Sequence, residues 1–260
     1  MYVAYNFWNL IFWAMITFVT PLIIALLPLF KVQINERILH LMLGFSAGIL
    51  GGVTFVDILP EAFDFTREMS LSTLYVSFGI GIGFFVLLVV ERYILATEEI
   101  HGGHFHIHGK PIDPKHGIIG VSALTFHGFM DGFAIPIGFS AGDEVGAIVT
   151  LSIVIHQIPD SFAALSLALS STDSRKQAIL SVLATAVDTP LGIVIGLLLV
   201  GLGNFMIPLG LGLCGGTFIY ISAVDLIPEL QHKSRSWLVV VSMIMGFLLI
   251  VAISLLMPHV

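Results

Sequence analysis

Two copies of His-x-x-x-Asp, His127 with Asp131 and His156 with Asp160, lie in stretches that are otherwise almost wholly apolar. On a helix, residues i and i+4 project from one face about one turn apart, so each pair sets an imidazole beside a carboxylate. An Asp at the centre of a membrane helix costs about 2.5–3.5 kcal/mol on insertion scales. A chain that bears this cost twice, with the same spacing, is expected to hold something between the two helices. Neutral imidazole plus carboxylate is a ligand set for first-row divalent metals, and two pairs supply the four donors that Zn²⁺ takes in tetrahedral geometry. The plainer reading is that these residues join helices through buried hydrogen bonds. A lone histidine would fit that reading, but the duplicated spacing argues for a metal site. Gln157 suits an interhelical amide bond as well as it suits a ligand. Asp188, just ahead of Thr189 and Pro190, is a candidate third wall of the site.

Proline sits close to these donors. Pro159 lies between His156 and Asp160, donates no N–H, and crowds the carbonyl of Ile155. Pro136 and Pro190 act likewise on Gly132 and Ala186. Carbonyls freed at membrane depth are tolerated only where protein or a water-filled cavity surrounds them. Kinks beside buried ligands therefore point to a pathway.

The elements that carry these residues must be membrane helices. The chain of 260 residues is 57% hydrophobic and only 10% charged, against about 25% charged in a soluble domain. Its one cysteine, Cys214, stands in an apolar run, which excludes a disulfide framework and a thiolate cluster. No basic run suggests nucleic acid. Runs of about 20 apolar residues give eight spans, near 7–30, 38–60, 71–96, 116–140, 144–170, 175–200, 204–229 and 236–257. The first is expected to be a retained helix, because it lacks a basic leader and a small-residue cleavage site. The whole chain, 1–260, thus reads as one polytopic membrane domain with a single long connector at 97–115.

Basic residues set the orientation. Lys31, Arg37, Arg92, Lys110, Lys115, Arg175, Lys176, Lys233 and Arg235 all fall on one side of an eight-span arrangement, and Arg67 alone falls on the other. The positive-inside bias makes the first side cytoplasmic, with both termini extracytoplasmic and the long loop inside.

A repeat is hidden in the chain. Asp57-Ile58-Leu59-Pro60-Glu61 matches Asp225-Leu226-Ile227-Pro228-Glu229, 168 residues on, and Gly48 matches Gly216 at the same offset. The two His-x-x-x-Asp pairs match each other across adjacent spans. Matching helices that run in opposite directions are the trace of an inverted repeat, which in transporters places the substrate site near the midplane. The spans then divide as three, a central pair, and three inverted. An acid after a proline can simply mark a span end, but its occurrence at opposite faces suggests an acidic vestibule at each mouth, attracting cations. Asp57, Glu61, Asp225 and Glu229 are the candidate pathway residues, with His232 as an exit contact.

The long connector holds His101, His104, His106 and His108, with His116 shortly after. Short imidazole-rich tracts bind metal, more weakly as they protonate. The alternative is a solvated linker whose histidines have no role.

At these residues the chain resembles the ZIP (Zrt-/Irt-like) family of divalent metal transporters, over essentially its whole length. Span four of that family typically reads His-Asn-x-x-Glu/Asp-Gly, and here it is His127-Gly128-Phe129-Met130-Asp131-Gly132. Span five typically reads His-Glu-x-Pro-His/Glu, and here it is His156-Gln157-Ile158-Pro159-Asp160. Leu59-Pro60-Glu61 and Gly216-Thr217-Phe218-Ile219-Tyr220, with Pro228-Glu229 further on, are also similar. The resemblance implies an all-α, eight-span, 3+2+3 inverted-repeat bundle in the cell membrane, compatible with a homodimer and not an enzyme. It implies Zn²⁺ as substrate, with Fe²⁺, Mn²⁺ or Cd²⁺ as other cargo, moving toward the cytoplasm. The departures are Gly128 for Asn, Gln157 for an acid, and Thr189 where an acid commonly precedes the span-six proline. In better-known members those positions help to build a second metal position. One metal site, formed by His127, Asp131, His156 and Asp160, is therefore expected here.

Two other function classes compete with transport. An intramembrane zinc hydrolase needs an open coordination position and a general acid or base. The chain lacks His-Glu-x-x-His, though Asp131 or Asp160 could serve. A proton-coupled carrier of an organic solute would need other binding groups, and the interior basic residues that anions prefer are missing.

Overall fold

A computed structural model describes residues 7–26, 36–95, 114–171, 176, 179–180, 183, 186–233 and 236–256. Among them there are helices and turns and no strand. The helices are α1 (Phe7–Leu26), α2 (Glu36–Val53), α3 (Leu59–Glu68), α4 (Leu74–Leu95), α5 (Pro114–Ala141), α6 (Asp143–Ser171), α7 (Asp188–Val200), α8 (Met206–Ile219), α9 (Ile227–Lys233) and α10 (Trp237–Leu256). A π-helical turn, Thr54–Ile58, joins α2 to α3, and a second, Tyr220–Leu226, joins α8 to α9. With each of these composites taken as one rod, the described residues form eight rods. The segments 37–68, 143–162, 206–224 and 237–256 are long and apolar enough to cross a membrane. Large side chains such as Trp8, Phe12, Phe78, Phe85, Leu198 and Leu248 are exposed, as expected of helices that face lipid rather than water.

The structure corrects two span boundaries. The second rod does not stop at Pro60 but continues as α3 to Glu68. Pro60 falls in the first turn of α3, directly after the π turn, so its missing N–H comes where the helical bonding already changes register. The π turn ahead of it bonds the Leu59 N–H to the Thr54 carbonyl, widening the helix where the proline ring would crowd Val56. The seventh rod repeats this, with Ile227 N–H on the Ser222 carbonyl just ahead of Pro228. The 168-residue repeat seen in the sequence thus carries the same backbone irregularity at its matching positions. The second correction is in span six, which is interrupted by a turn at Ala186–Val187, and α7 begins only at Asp188. The cause is Pro190, which leaves the Ala186 carbonyl without its helical donor. Helices α5 and α6 run on through Pro136 and Pro159.

Glycine ladders hold the rods together. Helices α4 and α8 pack most closely, followed by α5 with α7, α2 with α10, and α5 with α6. A Cβ at Gly79 or Gly83 would fall on the Leu209 or Leu213 carbonyl, and one at Gly212 or Gly216 on that of Val76 or Ile80. Likewise Gly48 lies on the Met243 carbonyl, and Gly246 on that of Phe45. Between α5 and α7, Gly132 meets the Thr189 carbonyl and Gly192 meets that of Phe129. Without a hydrophobic force between helices in lipid, such close backbone approach is what packs them.

Gly48 and Gly51 give a paired test. Gly48→Ala is expected to lower the thermal unfolding midpoint in detergent, at a cost of about 1–3 kcal/mol. Gly51, with open space around its Cβ direction, is expected to tolerate Ala without loss. Equal midpoints for the two variants would refute the ladder.

Candidate metal centre

Helices α5 and α6 bring the two His-x-x-x-Asp pairs face to face. The His127 Nε2 lies 3.4 Å from the His156 Nε2, 3.4 Å from an Asp131 oxygen and 3.2 Å from an Asp160 oxygen. The His156 Nε2 lies 3.1 Å from the same Asp131 oxygen. Donors at the corners of a tetrahedron, each about 2.0–2.1 Å from a central Zn²⁺, lie about 3.3 Å apart. The four distances just given are close to that spacing, and the ligand atoms of His127, His156 and Asp160 all lie within 4.8 Å of one another; Asp131 joins them through the two imidazoles, so seating all four donors on one ion requires a small rearrangement. The two imidazole nitrogens, 3.4 Å apart, are close enough to share one proton or one cation.

Local chemistry orients one of these donors. The His156 Nδ1 bonds the Ser152 carbonyl, one turn back on α6, at 2.9 Å. A carbonyl only accepts, so the proton sits on Nδ1 and Nε2 is left with its lone pair toward the centre. Phe218 of α8 meets the His156 ring edge to face, centroids 6.1 Å apart. The donors differ in access: the His156 side chain is 0% and Asp131 2% exposed, while His127 is 12% and Asp160 15% exposed. An ion would therefore reach the centre from the His127/Asp160 side.

On that side lies a cavity of about 30 Å³, lined by His127, Asp131, Gln157, Asp160 and Asp188 among others. One water needs about 10–15 Å³, so the space fits an ion with a water beside it. Two buried atoms of its walls, Asp131 Oδ1 and Gln157 Oε1, have no hydrogen-bond partner among the described residues. Buried polar atoms are nearly always satisfied, so such orphans suggest a missing partner such as an ion or water.

Of the pathway residues read from the sequence, Gln157 and Asp188 line this cavity. Asp57 does not line it; this carboxylate is buried in the first π turn, accepting a bond from the Ser254 hydroxyl of α10 at 2.8 Å. Glu61 is half-buried in the first turn of α3. The side chains of Asp225, Glu229 and His232, and all of His101, His104, His106 and His108, lie outside the described residues. Sequence reasoning missed Ser152, Phe218 and the part played by Gly128. Ser152, four residues before His156, had a usable signal in its spacing. Gly128 had none, because its role depends on α7: a Cβ there would lie 2.6 Å from an Asp188 carboxylate oxygen.

Comparison with known proteins finds zinc transporters. The sequence model of the family described as "ZIP Zinc transporter" matches residues 97–254. The chain is 29% identical to zinc transporter ZupT of Corynebacterium glutamicum over 256 residues, covering 90% of this chain and 92% of that protein. It is 25% identical to zinc transporter ZIP1 of Takifugu rubripes, covering 86% and 87%. It is also 25% identical to zinc transporter YKE4 of Saccharomyces cerevisiae, covering 83% and 70%.

The crowding at Gly128 is testable by compensation. Gly128→Ala is expected to lower the unfolding midpoint, by about 1–3 kcal/mol of stability, and Asp188→Ser in the same chain to recover part of the loss. No recovery, shown by additive midpoints, would mean that the two positions do not compete for space.

Proposed function

This chain belongs to the ZIP zinc transporter family, and on that footing we propose that it carries Zn²⁺ across the cell membrane toward the cytoplasm through one central site. It is a multi-span, all-helical membrane protein and a transporter of divalent metal rather than an enzyme. The observation that carries the finer reading is the convergence of the His127 and His156 nitrogens on each other and on carboxylate oxygens of Asp131 and Asp160 at 3.1–3.4 Å. Each carboxylate carries one negative charge and each imidazole is neutral, so the four donors balance a dication. That balance matters in low dielectric, where an unpaired charge is costly.

The ion enters from an outer acidic vestibule, sheds water at the cavity, and exchanges hydration for the four protein donors. It leaves when one helix group moves against the other, as repeats do in secondary transporters. The side chains of the four donors come from two helices that pack directly on each other, α5 and α6, so the site can hold together during that movement. Both termini face outward and the histidine tract at 101–108 faces the cytoplasm, where it receives metal. Fe²⁺, Mn²⁺ and Cd²⁺ fit the same donor types, with geometry deciding among them. A hydrolase would need a coordination position left open for water, and an ion closed in by all four donors would have none.

Metal uptake into proteoliposomes tests the site. His127→Ala and Asp160→Ala are each expected to abolish saturable Zn²⁺ uptake; parent-like uptake by both would refute the assignment. Uptake is expected to fall as external pH drops from about 7.5 to 5.5, because protons compete with metal for imidazole across that range. A flat profile would exclude histidine ligands. Deletion of residues 102–109 is expected to leave basal uptake intact, and its complete loss would show that the tract is part of the pathway.

A further inference from the structure

Helix α1 reaches the cavity with a proline rather than a charged side chain. It holds no acid, base or histidine between Phe7 and Leu26, and its two threonines stand just ahead of Pro21, in Thr17-Phe18-Val19-Thr20-Pro21. Leu10, Thr17, Pro21 and Ile24 are buried, at the spacing of one helical face. The helix packs most closely on α6, which carries His156 and Asp160. Pro21 lines the same cavity as His127, Asp131 and Asp160.

The main chain is exceptional at this point. Helical carbonyls point toward the C-terminus, so the Thr17 oxygen is aimed at residue 21. Pro21 has no N–H to give it, and the ring crowds it outward on the face that bears the ring, which is the face toward the cavity. Neither threonine hydroxyl replaces the missing donor. That of Thr17 donates to the Ala14 carbonyl and that of Thr20 to the Ile16 carbonyl, each at 2.9 Å. Thr17 is 0% exposed, and a main-chain acceptor so deeply placed is expected to find a partner. The opposite wall offers more acceptors. Ser161 commits its hydroxyl proton to the Gln157 carbonyl at 2.7 Å, which leaves its oxygen to accept. Among the described residues lining the cavity there is no lysine or arginine. Such walls suit a visitor that brings its own hydrogens, and a hydrated cation does.

We propose that the Thr17 main-chain carbonyl, freed by Pro21, accepts a hydrogen bond from water carried by the incoming dication, which makes α1 a working wall of the pathway. The contact is to the ion's hydration shell, and the His and Asp side chains of α5 and α6 remain the metal ligands. Water on a dication is a strengthened donor, and a neutral carbonyl meets it without adding charge to a centre whose charges already balance. Held in this way, the ion exchanges its water for protein donors in steps rather than all at once. A proline provides the acceptor with no ionisable side chain, in a helix whose Trp8, Phe12 and Met15 are exposed on its other faces. This inference rests on the central site proposed above.

The test is Zn²⁺ uptake by the full chain in proteoliposomes, with KM and kcat resolved, beside the thermal unfolding midpoint in detergent. Pro21→Ala returns an N–H to the helix and ties up the Thr17 carbonyl. It is expected to raise KM by about three- to tenfold, the worth of one hydrogen bond, while the midpoint stays or rises because the helix gains a bond. A proline with a merely structural role would not move the two readouts apart. Replacing Phe18 by its α-hydroxy acid turns the Thr17 carbonyl into an ester, a weaker acceptor, and keeps Pro21; KM is expected to rise here too. The same replacement at Ile16 weakens the carbonyl of lipid-facing Met15 and is expected to leave KM within about twofold. In the Pro21→Ala background the Phe18 ester is expected to have no further effect, since both act on one oxygen. A parent-like KM in Pro21→Ala, a parent-like KM in the Phe18 ester, or an equal rise in both esters overturns the proposal. His127→Ala separates the two levels. Saturable uptake surviving in that variant would remove the central site itself. Its loss, beside a parent-like Pro21→Ala, would remove only the hydration contact.

Discussion

Two carboxylates and two imidazoles held among apolar helices impose the constraint from which the rest of the structure follows. Each is costly to bury alone, and together they are tolerable only if their donor atoms converge. Convergence to within 3.1–3.4 Å demands that α5 and α6 be set in register to a fraction of a turn. The His156 bond to the Ser152 carbonyl and the Phe218 ring against it remove the remaining freedom of that imidazole. What results is a cluster of nitrogen and oxygen donors close enough to share one cation.

The packing around the centre answers the same demand. Lipid gives helices no hydrophobic reason to associate, so α5 meets α7, α4 meets α8, and α2 meets α10 through glycines laid on facing carbonyls. Close backbone approach fixes each pair in depth and rotation, and a side chain at Gly132 or Gly192 would push α7 away from the cavity. The π turns at Thr54–Ile58 and Tyr220–Leu226 belong to the matched halves of the repeat. Both precede a proline, and both resolve the same steric conflict by widening rather than breaking the rod.

Much of this was legible in the sequence. The His-x-x-x-Asp spacing announced one helical face per pair, and the structure places those faces opposite each other. The match of residues 57–61 with 225–229 announced paired rods, and the paired π turns give that match a backbone counterpart. Pro190 signalled trouble at Ala186, where the helix is indeed interrupted by a turn. The extension of the second rod past Pro60 was not legible, because a proline opening a helix and a proline ending one look alike without the preceding turn. Nor could the sequence show that Gly128 makes room for Asp188, since this depends on how α7 is rotated against α5. The contact of the Gln157 amide with the Thr189 hydroxyl, 32 residues away, was hidden for the same reason.

The central claim is that one dication sits among His127, Asp131, His156 and Asp160. Anomalous scattering from crystals of the full chain soaked in Zn²⁺, collected on both sides of the zinc absorption edge, tests it most directly. The account predicts a single strong peak about 2.0–2.2 Å from both Nε2 atoms and from one oxygen of each carboxylate. A map with no peak between α5 and α6, while zinc is found elsewhere on the chain, would contradict it.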